Sequence, residues 1–341
     1  MHKSRPSKKF NPVVIRTENF LCNGFSLEAD ACSKLSVSRR KGLRKRRVIS
    51  TIYILMQKKN LIWFLRILIV IQSLGYAAKL AAPSALNSYL LGSMGGKLVY
   101  DLDHAVWFFL LLASGVVLVL GFLRPATTSA LGKVDFACLG LLTLWPFVTA
   151  IFSWLNNPGN PFHATDPAGH AVRYVAPLAL LLLTAFPEKV NIRRVEWVLR
   201  WGVAGTFVGH GLCALWLNPF FVDLIIGTMN LFLGDPVFTS VSFEDLEEAL
   251  TIAASRQTIA ESALPIIAIQ DFILVALLLL PGKRIRTVIL WMAVWGFVTA
   301  TSRMTAYGWE HWHDLALRIC NGGIPLFLWF HWNSMESKKI S

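Results

Sequence analysis

The sequence predicts an all-α fold, a polytopic membrane helical bundle, and three observations predict it. Of 341 residues, 55% are apolar and only 16% charged, with 13 Trp and 22 Phe. That composition excludes a soluble enzyme, a disulfide scaffold and a disordered chain. The apolar residues gather into stretches of about 20, the length a helix needs to cross a hydrocarbon core of about 30 Å with its backbone bonded internally. Charge is segregated: residues 1–60 carry 15 Lys+Arg against 3 Asp+Glu, net +12, and the remainder 18 against 17, net +1. The +13 of the whole chain therefore belongs to a leading tail. This removes the case for nucleic acid as a partner and leaves the lipid bilayer.

About eight stretches qualify as spans: 61–82, 104–123, 135–155, 170–187, 197–217, 264–281, 287–302 and 313–333. Trp63, Trp107, Trp154, Trp197, Trp216, Trp309, Trp312 and Trp332 gather near their ends, where interfacial aromatics belong. Arg124 and Lys133, then Lys189, Arg193 and Arg194, then Lys283, Arg284 and Arg286, and finally Lys338 and Lys339 fall on one side of this arrangement. By the positive-inside rule both termini are expected in the cytoplasm. The opposite side is acidic, with Asp101, Asp103, Asp166, Asp223, Glu310 and Asp314 among its residues.

The chain also reads as a duplication. Trp63-Phe-Leu-Arg66 recurs as Trp197-Val-Leu-Arg200, and Gly75 as Gly209, at an offset of 134. Leu90-Leu-Gly-Ser-Met94 recurs as Ile225-Ile-Gly-Thr-Met229, Trp145-Pro-Phe-Val-Thr-Ala150 as Trp295-Gly-Phe-Val-Thr-Ala300, and Arg173 as Arg318 at an offset of 145. The drifting offset is assigned to loops, 218–263 being longer than 83–103. The expected organisation is a first four-helix repeat over 61–187 and a second over 197–333. An even number of spans makes the repeats parallel. The mid-chain partner at 197–217 also argues that 61–82 is a retained span and not a cleaved signal.

In the second half, Arg200, Gly209-His210-Gly211, Asp271, Trp295-Gly-Phe-Val-Thr-Ala300, Arg303 and Arg318 with Asn321-Gly-Gly-Ile-Pro325-Leu resemble the DoxX-like family of small four-helix bacterial membrane proteins. The resemblance covers both halves, the first being degenerate: Tyr76 stands for the His, Leu111 near the Asp and Ser153 for Arg303. It implies a bacterial inner (plasma) membrane location. Some members are similar to membrane subunits of thiosulfate:quinone oxidoreductase, which implies quinone as a candidate cofactor and a membrane redox component as a partner.

Ionisable groups within a bilayer cost about 2.5–3.5 kcal/mol each on insertion scales, so each needs a partner or a purpose. Span directions bring His210, Asp271, Arg303, Arg318 and Asn321 to similar depth in the outer half of the second repeat. This is the candidate catalytic cluster, with Arg as an anion clamp and Asp–His as a proton relay. The alternative reading is that Asp and Arg merely hold the bundle together. Arg66 and Arg200 are expected to snorkel to the cytoplasmic interface. Gly205 and Gly209 form a GxxxG step that admits a close helix, and His210 then has the option of bonding across it.

Other chemistry is sparse. No pair of His at helical spacing invites a haem, and His311 and His313, two residues apart, are expected to diverge, so no metal site is expected. The five Cys form no CxxC; Cys213 and Cys320 read as inert buried thiols, with a disulfide as the alternative. Phosphate loops, nucleophile elbows and HExxH helices are absent. A helix capped by Ser242, with an apolar stripe of Phe243, Leu246, Leu250 and Ala253, is expected over the outer mouth of the second repeat, as a lid or an inert interfacial helix. Residues 1–55 read as a basic, disordered tail, and Met56-Gln-Lys-Lys-Asn60 as an alternative start.

Three functions remain: a quinone-linked redox component, a small-solute or ion permease, or a non-catalytic structural or assembly subunit, alone or as a homo-oligomer. Against the permease, the halves show no matching spans broken by Gly or Pro.

Overall fold

The computed structural model describes residues 60–91, 96–123, 129–234, 243–280 and 285–340, apart from the side chains of 243–245 and 335–340. The expected tail, the start at Met56 and the cap Ser242 lie outside these residues. In chain order the helices are α1 (Asn60–Lys79), α2 (Ala85–Leu90), α3 (Gly96–Leu123), α4 (Ala130–Asn156), α5 (Pro161–Ala164), α6 (Asp166–Gly169) and α7 (Ala171–Ala185). They continue as α8 (Ile192–Leu215), α9 (Pro219–Leu233), α10 (Phe243–Leu279), α11 (Ile285–Tyr307), α12 (Trp312–Leu317) and α13 (Ile319–Ile340), with a 3-10 turn at Trp309–His311. Among the described residues there is no strand.

Six helices, α1, α3, α4, α8, α10 over Leu246–Leu279 and α11, are long and apolar enough to cross a membrane, which makes this an integral membrane protein. The other two stretches expected to span fall on α7 and on α12 with α13. The 15-residue α7 is shorter than a perpendicular crossing requires.

Local sequence explains where many helices begin. Ser84, Ser129, Asn160, Asn191 and Asn218 each accept a hydrogen bond from a first-turn backbone N–H, and Pro161 and Pro219 follow their Asn caps where a missing N–H costs nothing. The Asn218-Pro219 start and the Gly234 stop (φ 80°) delimit α9 in a region expected to be loop. From Phe243 onward that expected loop is the beginning of α10, continuous with the sixth predicted span. The stripe foreseen on it is not the packed face: Leu246 and Leu250 are exposed, whereas Ala249, Arg256 and Ala260 are buried.

Packing joins the two halves of the chain. A Cβ on Gly75 of α1 would overlap the Leu317 backbone and come 2.8 Å from the His313 carbonyl. A Cβ on Gly209 of α8 would come 2.6 Å from Gly169 Cα. Each glycine thus seats a break between two helices: His170 (φ −99°, ψ 4°) separates α6 from α7, and Arg318 (φ −103°, ψ 6°) separates α12 from α13. The GxxxG step is a close approach, as expected, but toward a helix break. These breaks, each followed by an in-helix proline (Pro177 and Pro325), correct the reading that no interrupted helices match between the halves.

Arg66 and Arg200 do not snorkel. Arg66 is buried and donates to both carboxylate oxygens of Asp135 at 2.9 and 2.7 Å and to the Val117 carbonyl at 2.7 Å. Arg200 donates to Glu196 at 2.7 Å and lies 4.7 and 4.6 Å from the ring centroids of Trp197 and Trp332. A carboxylate reachable within the bundle offers two charge-assisted bonds without stretching the side chain, so pairing displaces snorkelling.

Candidate functional site

Two cavities adjoin inside the bundle. The first, of about 270 Å³, is enclosed by α8, α9, α10, α11 and α13. Phe207, Phe221, Leu224, Met229, Leu264 and Trp295 make most of its wall apolar. Four of the five residues singled out from the sequence, His210, Asp271, Arg303 and Asn321, also line it. The fifth, Arg318, lines the second cavity, of about 430 Å³, together with Arg173, His163, His170 and Asp166. His210, Phe221 and Arg303 face both and form the partition.

Each site residue is held by its own element. Asp271 on α10 is buried and accepts a bond from the Trp295 indole of α11 at 3.1 Å. Among the described residues no hydrogen bond joins Asp271 to His210, so the expected Asp–His relay is not preformed. The His210 ring instead packs edge-on against Phe221, with centroids 6.0 Å apart. Arg303 donates to the Thr299 carbonyl at 3.0 Å and lies 5.3 Å from the Phe220 ring centroid. Arg318 is tied to Asp314 at 2.6 Å, and Asp314 also meets Lys79 at 3.5 Å. Asn321 reaches the cavity because α11 and α13 touch at Gly296, where a Cβ would come 2.5 Å from the Asn321 carbonyl.

The sequence reading missed the first half's contribution. Arg173 and His170 sit beside Arg318 and Arg303 because α6 and α7 dock against α8, a contact that no local pattern announces. It also missed α9, which supplies Phe221, Leu224, Ile225, Thr228 and Met229 to the first cavity; the Asn-Pro cap and the glycine stop were the available signal. Among the described residues the expected lid contributes no lining residue: α10 enters the first wall at Leu264, Ile267 and Asp271.

One further expectation changes. His311 and His313 were expected to diverge, but the 3-10 turn before α12 brings both toward Asp314, His311 Nδ1 at 3.5 Å and His313 Nε2 at 3.7 Å from Oδ2. The three ligand-type atoms lie within 4.8 Å of one another. Cys138, Cys213 and Cys320 are free thiols; the Cys213 sulfur lies 3.0 Å from the Thr165 hydroxyl, and Cys320 is fully buried.

The fold defines an integral membrane protein with two adjoining, partly polar cavities. Compared with known proteins, the chain matches no family model, no curated protein and no solved structure.

Proposed function

We propose that the chain is a DoxX-like membrane component linked to quinone or respiratory redox chemistry, with the first cavity as its quinone pocket. One observation carries the reading. A cavity of about 270 Å³, walled by aromatic and aliphatic side chains, presents His210, Asp271, Arg303 and Asn321. Mostly apolar walls with a few orienting polar groups suit a flat, weakly polar ring bearing carbonyl oxygens. Arg303 and Asn321 carry donors for such oxygens, and Asp271 and His210 are groups able to exchange protons at them.

The proposal includes an eight-span bundle of two parallel repeats, with both termini cytoplasmic in a bacterial inner membrane. The matched breaks support the duplication and shift its register near the end of each half. His170 with Pro177, set against Arg318 with Pro325, gives an offset of 148 in place of 145. In that register Arg173 corresponds to Asn321, and Gly169 to Leu317, the residues against which Gly209 and Gly75 pack.

The test uses detergent-purified protein. Its absorption spectrum and solvent extract are examined for bound quinone, and binding of an added short-chain benzoquinone is measured for wild type, His210→Ala and Asp271→Asn. The expected result is saturable binding weakened in both variants. Unchanged binding in both, or none in the wild type, overturns the reading.

A second reading, a small-solute permease, is favoured by the matched helix breaks beside the second cavity, since interrupted helices at the interface of repeats form transport sites. Solute uptake into proteoliposomes that is lost in Arg303→Gln is expected for it, and uptake indifferent to that change removes the site.

A further inference from the structure

The second cavity holds more positive charge than the protein neutralises. Arg173, Arg303 and Arg318 line it and are 2%, 6% and 7% exposed. The carboxylates within reach are Asp166 and Asp314. Asp166 is held by the Ser153 hydroxyl and faces His163 at 3.2 Å. Asp314 is shared by Arg318 at 2.6 Å and Lys79 at 3.5 Å. His170, His210 and the Cys213 thiol complete the titratable lining. Three guanidinium groups thus line the cavity against one lining carboxylate, Asp166, while Asp314 is divided between Arg318 and Lys79.

Arg173 is the clearest case. Among the described residues its guanidinium has no hydrogen-bond or ion-pair partner; only its backbone is engaged, the N–H donating to the His170 carbonyl and the carbonyl accepting from Gln72. The Nε atoms of Arg173, Arg303 and Arg318 and the Nδ1 of His170, all from lining residues, are likewise buried without a partner. A buried charge with no counter-ion is among the costliest arrangements in a protein, and polar groups left unmatched around one cavity are matched by a ligand or by water.

We infer that the second cavity binds a polyatomic anion bearing a carboxylate, phosphate or sulfate-type group, held between the two halves of the chain with Arg173 as its principal donor. Guanidinium groups present paired N–H donors that match two oxygens of such a group and do not match a halide. A volume of about 430 Å³ leaves room for the anion and some of its water. Arg173 comes from α7, Arg303 from α11 and Arg318 from the α12–α13 break, so the anion ties together segments more than a hundred residues apart in the chain. The inference concerns a different cavity from the proposed quinone pocket and does not depend on redox activity.

The experiment is thermal unfolding of the full, detergent-purified chain at constant ionic strength, with sulfate, phosphate, acetate or chloride, and separately with phosphatidylglycerol in the micelles. At saturating oxyanion the expected rise in melting temperature is about 5 °C over chloride. A rise with inorganic anions or acetate assigns the site to a freely diffusing anion, and a rise confined to phosphatidylglycerol assigns it to a lipid headgroup. Arg173→Met is expected to abolish the response and, in anion-free buffer, to melt above the wild type, because an uncompensated charge is removed. Should that variant not fold, equilibrium dialysis of labelled sulfate and phosphate against the wild type is expected to show saturable binding. Asp271→Asn, in the first cavity, should keep the full response, which separates this inference from the quinone reading. Equal melting temperatures in all anions together with no rise in phosphatidylglycerol, or an Arg173→Met protein that responds as the wild type does, overturns it.

Discussion

The side-chain amide of Gln72 on α1 donates to the backbone carbonyl of Arg173 on α7 at 2.7 Å. That carbonyl lacks a helical partner because the residue four positions on is Pro177, which has no N–H. A proline inside one helix is thus answered by a side chain from another, as bilayer helices require when no water is at hand. Gln72→Leu leaves the carbonyl unmatched and is expected to lower stability by about 1–3 kcal/mol in denaturant or thermal unfolding. Adding Pro177→Ala restores the helical N–H, so the double variant should recover most of the loss.

Arg66 and Asp135 form a buried two-oxygen pair that also satisfies the Val117 carbonyl. Removing one partner strands a charge, so Asp135→Asn or Arg66→Met is expected to cost about 3–5 kcal/mol, and Arg66→Met with Asp135→Leu considerably less than the sum. A double-mutant cycle on unfolding free energies checks this; additive losses would show that the two groups are not coupled.

Gly209 and Gly75 are both pressed against backbone, which cannot yield as a flexible side chain can. Alanine at either position is expected to cost about 1–3 kcal/mol or more through overpacking. Gly140 on α4 has open space beyond it, and Gly140→Ala should be neutral or stabilising by about 0.5–1 kcal/mol. Melting temperatures of the three variants provide the comparison.

Asp271 separates shape from hydrogen bonding. Asp271→Asn keeps an acceptor for the Trp295 indole and is expected to fold within about 1 kcal/mol of the wild type, whereas Asp271→Leu leaves the indole unmatched at a cost of about 1–3 kcal/mol. If Asn destabilises as much as Leu, the carboxylate charge itself supports the bundle.

Composition and hydropathy read from the chain alone were enough for the helical class, the membrane setting and the apolar cores of the long helices, though not the first part of α10, because burial in lipid demands length and apolarity from each helix by itself. Four of five candidate residues, His210, Asp271, Arg303 and Asn321, could be grouped from sequence because depth along a span follows from counting residues. The partners of Arg66 and Arg200, the helical nature of 219–233 and the meeting of Arg173 with Arg303 and Arg318 were not legible. Each depends on which helices touch, and apolar stripes that look alike to lipid carry little information about their neighbours.

What the amino-acid sequence by itself determined is therefore an all-α membrane protein with ionisable residues within its apolar helices. The tertiary structure decided that those residues divide between an apolar cavity and a cationic one, and that the second is built jointly by both halves. The physical reason is close approach. Gly75 and Gly209 bring helix breaks against α1 and α8, and α7 packs beside α8 and α13, where the unpaired Arg173 guanidinium faces the same space as Arg303 and Arg318.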